Sequence, residues 1–124
     1  MDSRKAVKWM GSSLDDLRSF PADVRRVVGQ ALDDAEKGGE HPSVKALKGL
    51  GGRSVLEVVD DYDGDTYRAV YTVRFAGVIY VLHVFQKKAK KGIATPKHEL
   101  DLIQARLKRA EEDYRDNYTK GAKK

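Results

Sequence analysis

Residues 66–91 read TYRAVYTVRFAGVIYVLHVFQKKAKK, and the parsing of this stretch decides the fold. Two runs rich in β-branched and aromatic residues, Thr66–Phe75 and Val78–Gln86, are parted only by Ala76-Gly77. That is the pattern of two antiparallel strands joined by a short turn. Just upstream, DDYDGD gathers Asp60, Asp61, Asp63 and Asp65 around Gly64, a turn signal linking the first run to an earlier one, Arg53–Val59. Three adjacent runs with tight connections imply an antiparallel meander. Side chains alternate along a strand, so Tyr67, Ala69, Tyr71, Val73 and Phe75 share one face, as a helix-covered core requires. Arg68, Val70, Thr72 and Arg74 share the other, which leaves Arg68 on the more open face.

Outward from this centre the chain reads as helices and one further strand. Ala6–Met10 (AVKWM) is a short apolar run expected to be a strand. Ser12 and Ser13 each have an aspartate three positions on, a capping-box start for a short helix over Leu14–Ser19 that Phe20-Pro21 ends. Pro21 opens a second helix, whose Val24, Val27, Val28, Ala31, Leu32 and Ala35 line one stripe until Gly38-Gly39 stops it. Glu40–Gly52 is expected to be a glycine-rich loop anchored by Val44, Leu47 and Leu50. Thr95 as N-cap and Pro96 as first helical residue announce a last helix with Leu100, Ile103, Leu107, Ala110 and Tyr114 on one face. The order β-α-α-β-β-β-α makes a small α+β domain with helices packed on an antiparallel sheet. One domain over residues 1–118 is expected, with 119–124 a disordered basic tail.

Composition narrows the function classes. The 124 residues carry 24 Lys+Arg against 19 Asp+Glu, a net +5, and no cysteine. Disulfides and thiolate metal sites are therefore excluded, and no apolar run or signal core suggests a membrane or an export route. Cytoplasmic residence is expected. From Tyr67 to His98 there is no acidic residue, where average content would give about five, while Arg68, Arg74, Lys87, Lys88, Lys90, Lys91 and Lys97 all fall there. Such a surface suits a polyanion.

Arg68 is the first candidate; an ordinary pairing with Asp65 or Asp63 is the alternative. The run Lys87, Lys88, Lys90 and Lys91 either supplies a base, attracts phosphates or forms a solvated loop. Glu57 is a base or a lysine's partner. His83, inside YVLHVF, reads as a satisfied, partly buried imidazole. His41 and His98 stand apart, and DDYDGD lacks the spacing and closing glutamate of a calcium loop, so no metal site is expected.

LKGLGGRSVLEVV (47–59), DTYRAVYTVRF (65–75) and IYVLHVFQKKAKKGIATP (79–96), followed by a closing helix, resemble the phage-derived, HigB-like branch of the RelE/ParE toxin superfamily. The resemblance runs from the first strand to about Tyr114 and rests on YR-x-x-Y at Tyr67–Tyr71 together with F-x-K-K at Phe85–Lys88. It implies a RelE-like fold. It also implies the toxin of a type II toxin–antitoxin system, an mRNA endoribonuclease working on the ribosome without metal or other cofactor. A helix-turn-helix, HigA-like antitoxin would neutralise it in a hetero-oligomer.

By position, Arg68 matches the strand arginine that contacts the scissile phosphate. Lys87 and Lys88 match the basic positions after the last long strand, and Lys48 a loop lysine. Arg74, Lys90 and Lys91 would add RNA contacts, with Glu57 as reserve base. Some ribonuclease relatives carry basic residues in the strand before the arginine, where this chain has Glu57 and Val59. The ParE branch inhibits DNA gyrase, so a gyrase-directed or inactive partner-binding protein is the alternative. The nuclease reading expects Arg68, Lys87 and Lys88 to converge in a pocket open to one phosphodiester; an arginine sealed beneath a helix would leave it without a site. It also expects Arg68→Ala to abolish growth arrest with the fold intact.

Overall fold

The computed structural model describes residues 4–50, 54–87 and 95–119. In order they form β1 (Ala6–Trp9), α1 (Ser13–Arg18), α2 (Ala22–Glu36), β2 (Val44–Ala46), β3 (Val55–Tyr62), β4 (Asp65–Thr72), β5 (Val78–Lys87) and α3 (Lys97–Tyr114), which ends in a π-helical turn, Arg115–Thr119. The strands make one sheet in the order β1-β5-β4-β3-β2. The meander β3-β4-β5 is antiparallel, as its tight turns require, but β1 joins β5 in parallel. A parallel neighbour needs a crossover connection, and the two helices α1 and α2 supply part of it. The sheet is therefore mixed rather than wholly antiparallel.

Local chemistry explains most boundaries. The helix α2 buries Val24, Val28, Ala31, Leu32 and Ala35; full burial of each of the two valines contributes about 1.5–3 kcal/mol. Its end is a Schellman motif: Gly38 N–H donates to Ala35 O at 3.0 Å and Gly39 N–H to Asp34 O at 2.8 Å, with Gly38 at φ 89°. The β3–β4 hairpin turns on Asp63-Gly64 alone, both at positive φ (51° and 87°), so the aspartates expected in a turn extend β3 to Tyr62 and start β4 at Asp65. Within the segment read as loop, Val44–Ala46 pairs with β3 as an edge strand. Three residues are too few for alternation to register.

Helices cover both faces of the sheet. Leu17 and Phe20 with the α2 stripe pack on Leu56, Val58, Tyr67, Ala69, Tyr71, Ile79, Val81 and Val84. Ile103, Leu107 and Ala110 of α3 pack on the opposite side, on Val55, Val70, Phe75, Val78, Tyr80, Leu82 and Phe85. The face that carries Arg68 is thus not the open one. At the far end α3 is tied down by Asp113, which accepts from Tyr80 Oη at 2.6 Å and Lys8 Nζ at 2.9 Å. The Lys8 ammonium and then the Tyr80 hydroxyl hold the Asp113 carboxyl below the usual carboxylate range.

Between β4 and β5 the register slips by one. Val70 stands opposite His83 and Tyr71 opposite Val81, so Leu82 is the extra residue of a β-bulge. The slip decides which β5 side chains share a face with Arg68. With it, His83, Phe85 and Lys87 stand opposite Val70, Arg68 and Thr66. Without it, strict alternation would send all three to the α2 side.

Candidate functional site

Arg68 lies near the middle of this face, 1 % exposed, between the sheet and the residues that lead into α3. Its neighbour on β3 is Val59, and Glu57, one step along the same face, reaches across. Arg68 Nη1 donates to Glu57 Oε1 at 3.1 Å and to Thr95 Oγ1 at 3.2 Å. The Thr95 hydroxyl in turn lies 3.3 Å from the same Glu57 oxygen. Because Thr95 turns its hydroxyl to this pair, it does not cap α3; Pro96 takes the N-cap position and the helix starts at Lys97. The expected pocket, open at Arg68 to a phosphodiester, is not what the described residues form: Arg68 is sealed and partnered by Glu57, rather than exposed or paired with Asp63 or Asp65. Asp65 instead accepts from Gln86 Nε2 at 2.7 Å. Glu57, at 4 % exposure with its oxygen engaged, is a counter-ion in this arrangement rather than a ready base.

Next to this pair is a second polar group built by the bulge. His83 Nε2 lies 2.6 Å from Glu99 Oε1, and Phe85 stacks on the imidazole at 4.8 Å. Arg106 Nη1 donates to Leu82 O at 2.9 Å and lies 3.4 Å from His83 Nδ1, which assigns Nδ1 as the acceptor and leaves Nε2–H for Glu99. His83 is thus the satisfied, buried imidazole that the sequence suggested. Glu99 and Arg106 were not legible as its surroundings. The bulge that gathers them leaves no mark in an unbroken apolar run.

Arg106 also depends on Gly11. A Cβ built there would stand 2.7 Å from the guanidinium carbon, and Gly11 has φ +55°. Gly11→Ala is expected to cost about 1–3 kcal/mol, as strain plus displacement of Arg106. Gly29→Ala in α2, with nothing within 4 Å, is expected to be neutral or stabilising by up to about 1 kcal/mol. Urea denaturation compares them, and equal effects would mean that Arg106 is not held by this glycine.

The remaining cationic candidates divide. Lys87 is partly exposed at the end of β5, on Arg68's face and opposite Thr66. Lys88, Lys90 and Lys91 lie outside the described residues. Arg74, exposed and bonded through Nε to Ser54 Oγ at 3.2 Å, stands beyond Thr72. Strand rise puts it about 20 Å or more from Lys87, so it belongs to the other end of the sheet. Lys48 is exposed on the loop whose Leu47 and Leu50 pack with Leu100 under α3. Among the described residues no group of three His, Cys, Asp or Glu side chains is arranged to hold a metal, and no helix is long and apolar enough to cross a membrane.

In this arrangement Arg68 neutralises one oxyanion deep in the sheet, the Glu57 carboxylate, and Lys87 stands at the rim of the same face. An arginine-to-alanine double mutant of E. coli toxin RelE, solved in the free state, has a similar structure. Its TM-score is 0.54 at 18 % identity, covering 86 % of this chain and 97 % of that one. The fold is RelE-like. No curated protein matches the sequence. The family described as Phage derived protein Gp49-like (DUF891) matches over residues 15–108, most of the chain's length. The chain belongs to that phage-derived Gp49-like family.

Proposed function

We propose that this protein is the toxin of a type II toxin–antitoxin pair and inhibits translation as a ribosome-associated mRNA endoribonuclease of the HigB-like kind. Its partner is a helix-turn-helix, HigA-like antitoxin. The observation that carries this reading is the bulge at Leu82, which brings Lys87, the first residue of the lysine run, onto the face of Arg68. The RelE-like fold and the acid-free stretch from Tyr67 to His98 support it.

In the proposed reaction the RNA 2′-oxygen attacks the adjacent phosphorus while its proton passes to a base. The bond from phosphorus to the 5′-oxygen breaks, and that oxygen takes up a proton, leaving a 2′,3′-cyclic phosphate and a 5′-hydroxyl. Arg68, once it exchanges Glu57 for phosphate, binds the phosphoryl oxygens. Lys87 and Lys88 balance the developing charge, and one of them moves a proton. Lys90, Lys91 and Lys48 hold the RNA backbone.

The burial of Arg68 favours a second reading, in which the chain binds a target such as gyrase, or only a partner, without cutting RNA. Mapping mRNA 5′ ends after brief induction separates them. New ends inside translated frames are the expected result. DNA damage without new ends would favour gyrase, and growth arrest with neither would leave a binding protein.

A further inference from the structure

What a buried guanidinium meets is set by its strand neighbours. On β3 Val59 stands directly opposite Arg68, and the side chains diagonal to it on the same face are Glu57 and Asp61. Asp61 is occupied, accepting from Thr66 Oγ1 at 2.8 Å. Glu57 turns to Arg68, and the two side chains are 5 % and 1 % exposed at a separation of 3.1 Å. With Thr95 Oγ1 within 3.3 Å of both, one carboxylate oxygen is held by a guanidinium and a hydroxyl. This donor set is also what a non-bridging phosphate oxygen takes.

We propose that Glu57 fills the chain's own oxyanion seat. Its carboxylate is an internal competitor that a phosphate group must displace to reach Arg68. This rests on the RNA-directed reading above, and it names the step that admits substrate to the sealed arginine. Lys45 on β2 stands directly opposite Glu57 and is exposed, so a cation waits at cross-strand distance for the displaced carboxylate. The buried pair is overall neutral. Removing the negative partner leaves a guanidinium that has lost its counter-ion, a costly state that an external oxyanion relieves. A carboxylate serving only as scaffold would strand the same guanidinium when removed, but in the intact chain it would not give way to phosphate.

The test is thermal unfolding of the full chain in inorganic phosphate, comparing wild type, Glu57→Gln, Glu57→Asp and the double variant Glu57→Gln/Arg68→Gln. Without phosphate, Glu57→Gln is expected to melt about 10 °C or more below wild type. Phosphate is expected to restore it, with half the effect at a concentration roughly tenfold lower than wild type needs. The double variant is expected not to respond.

Equal phosphate responses in wild type and Glu57→Gln, no response at all in wild type, or a response kept by the double variant, would overturn the seat. If Glu57→Gln folds at no phosphate concentration, Glu57→Asp decides: a response above wild type sustains the proposal and an equal one overturns it. Phosphate rescue of Glu57→Gln with no RNA cleavage by any of the chains would keep the seat and remove the nuclease reading.

Discussion

Arg68→Ala is expected to lose growth arrest and, with it, about 3–5 kcal/mol of folding stability. The second effect departs from what the alternation pattern implied. An arginine on an open face could be removed without cost, but Arg68 is ion-paired to Glu57 inside the sheet–α3 layer, and its loss strands a buried carboxylate. Loss of toxicity in this variant alone would therefore say nothing about chemistry.

Replacing both partners separates the two effects. Arg68→Met with Glu57→Leu fills the same space without charge, and such swaps of buried pairs are commonly neutral or stabilising by about 1–4 kcal/mol. The double variant is expected to unfold at or above the wild-type urea midpoint and still fail to arrest growth. A stable double variant that arrests growth like wild type would show that Arg68 holds the fold and does nothing to RNA.

Lys87→Glu is expected to have the opposite profile. Lys87 ends β5, partly exposed, on the same face as Arg68. Surface substitutions of this kind move stability by about 0.5 kcal/mol or less. Loss of a charge-stabilising donor typically lowers a rate by about 10²–10³, and reversal adds repulsion toward the RNA backbone. Cleavage of a defined message on purified ribosomes, beside a urea titration, reads both effects. A Lys87→Glu rate within a few-fold of wild type would move the site elsewhere. Arg74→Glu, at the other end of the sheet, is the control expected to cleave normally.

The contrast between these two positions shows what the residues alone disclose. The strands of the meander, the stripe of α2 and the apolar face of α3 are written in periodicity, and they came out within a few residues. The single-residue slip at Leu82 is not. Val78–Phe85 is apolar at nearly every position, so either face can accept any residue, and only the packing of both helix layers chooses the register. That choice carries His83, Phe85 and Lys87 to Arg68's side.

The second layer of helix was hidden for a related reason. In β4 the α3 face holds Arg68, Val70 and Thr72, which looks half-polar, yet its apolar partners come from β3, β5 and α3. Glu57 was visible as a candidate, but its engagement with Arg68 depends on a diagonal reach between strands and on Thr95. Neither is local in sequence.

The proposed reaction requires RNA to meet the β4–β5 face beside the start of α3. The direct test is a titration of isotopically labelled wild-type protein with a short RNA whose cleavage-site 2′-hydroxyl is replaced by hydrogen, followed by NMR. Signals of Lys87, the Arg68 guanidinium, Glu57 and Thr95 are expected to shift together, with the largest changes at Arg68 and Glu57 as their contact is exchanged. Shifts confined to the hollow on α2 lined by Arg26, Gln30 and His41, with the Arg68–Glu57 signals unmoved at saturation, would contradict it.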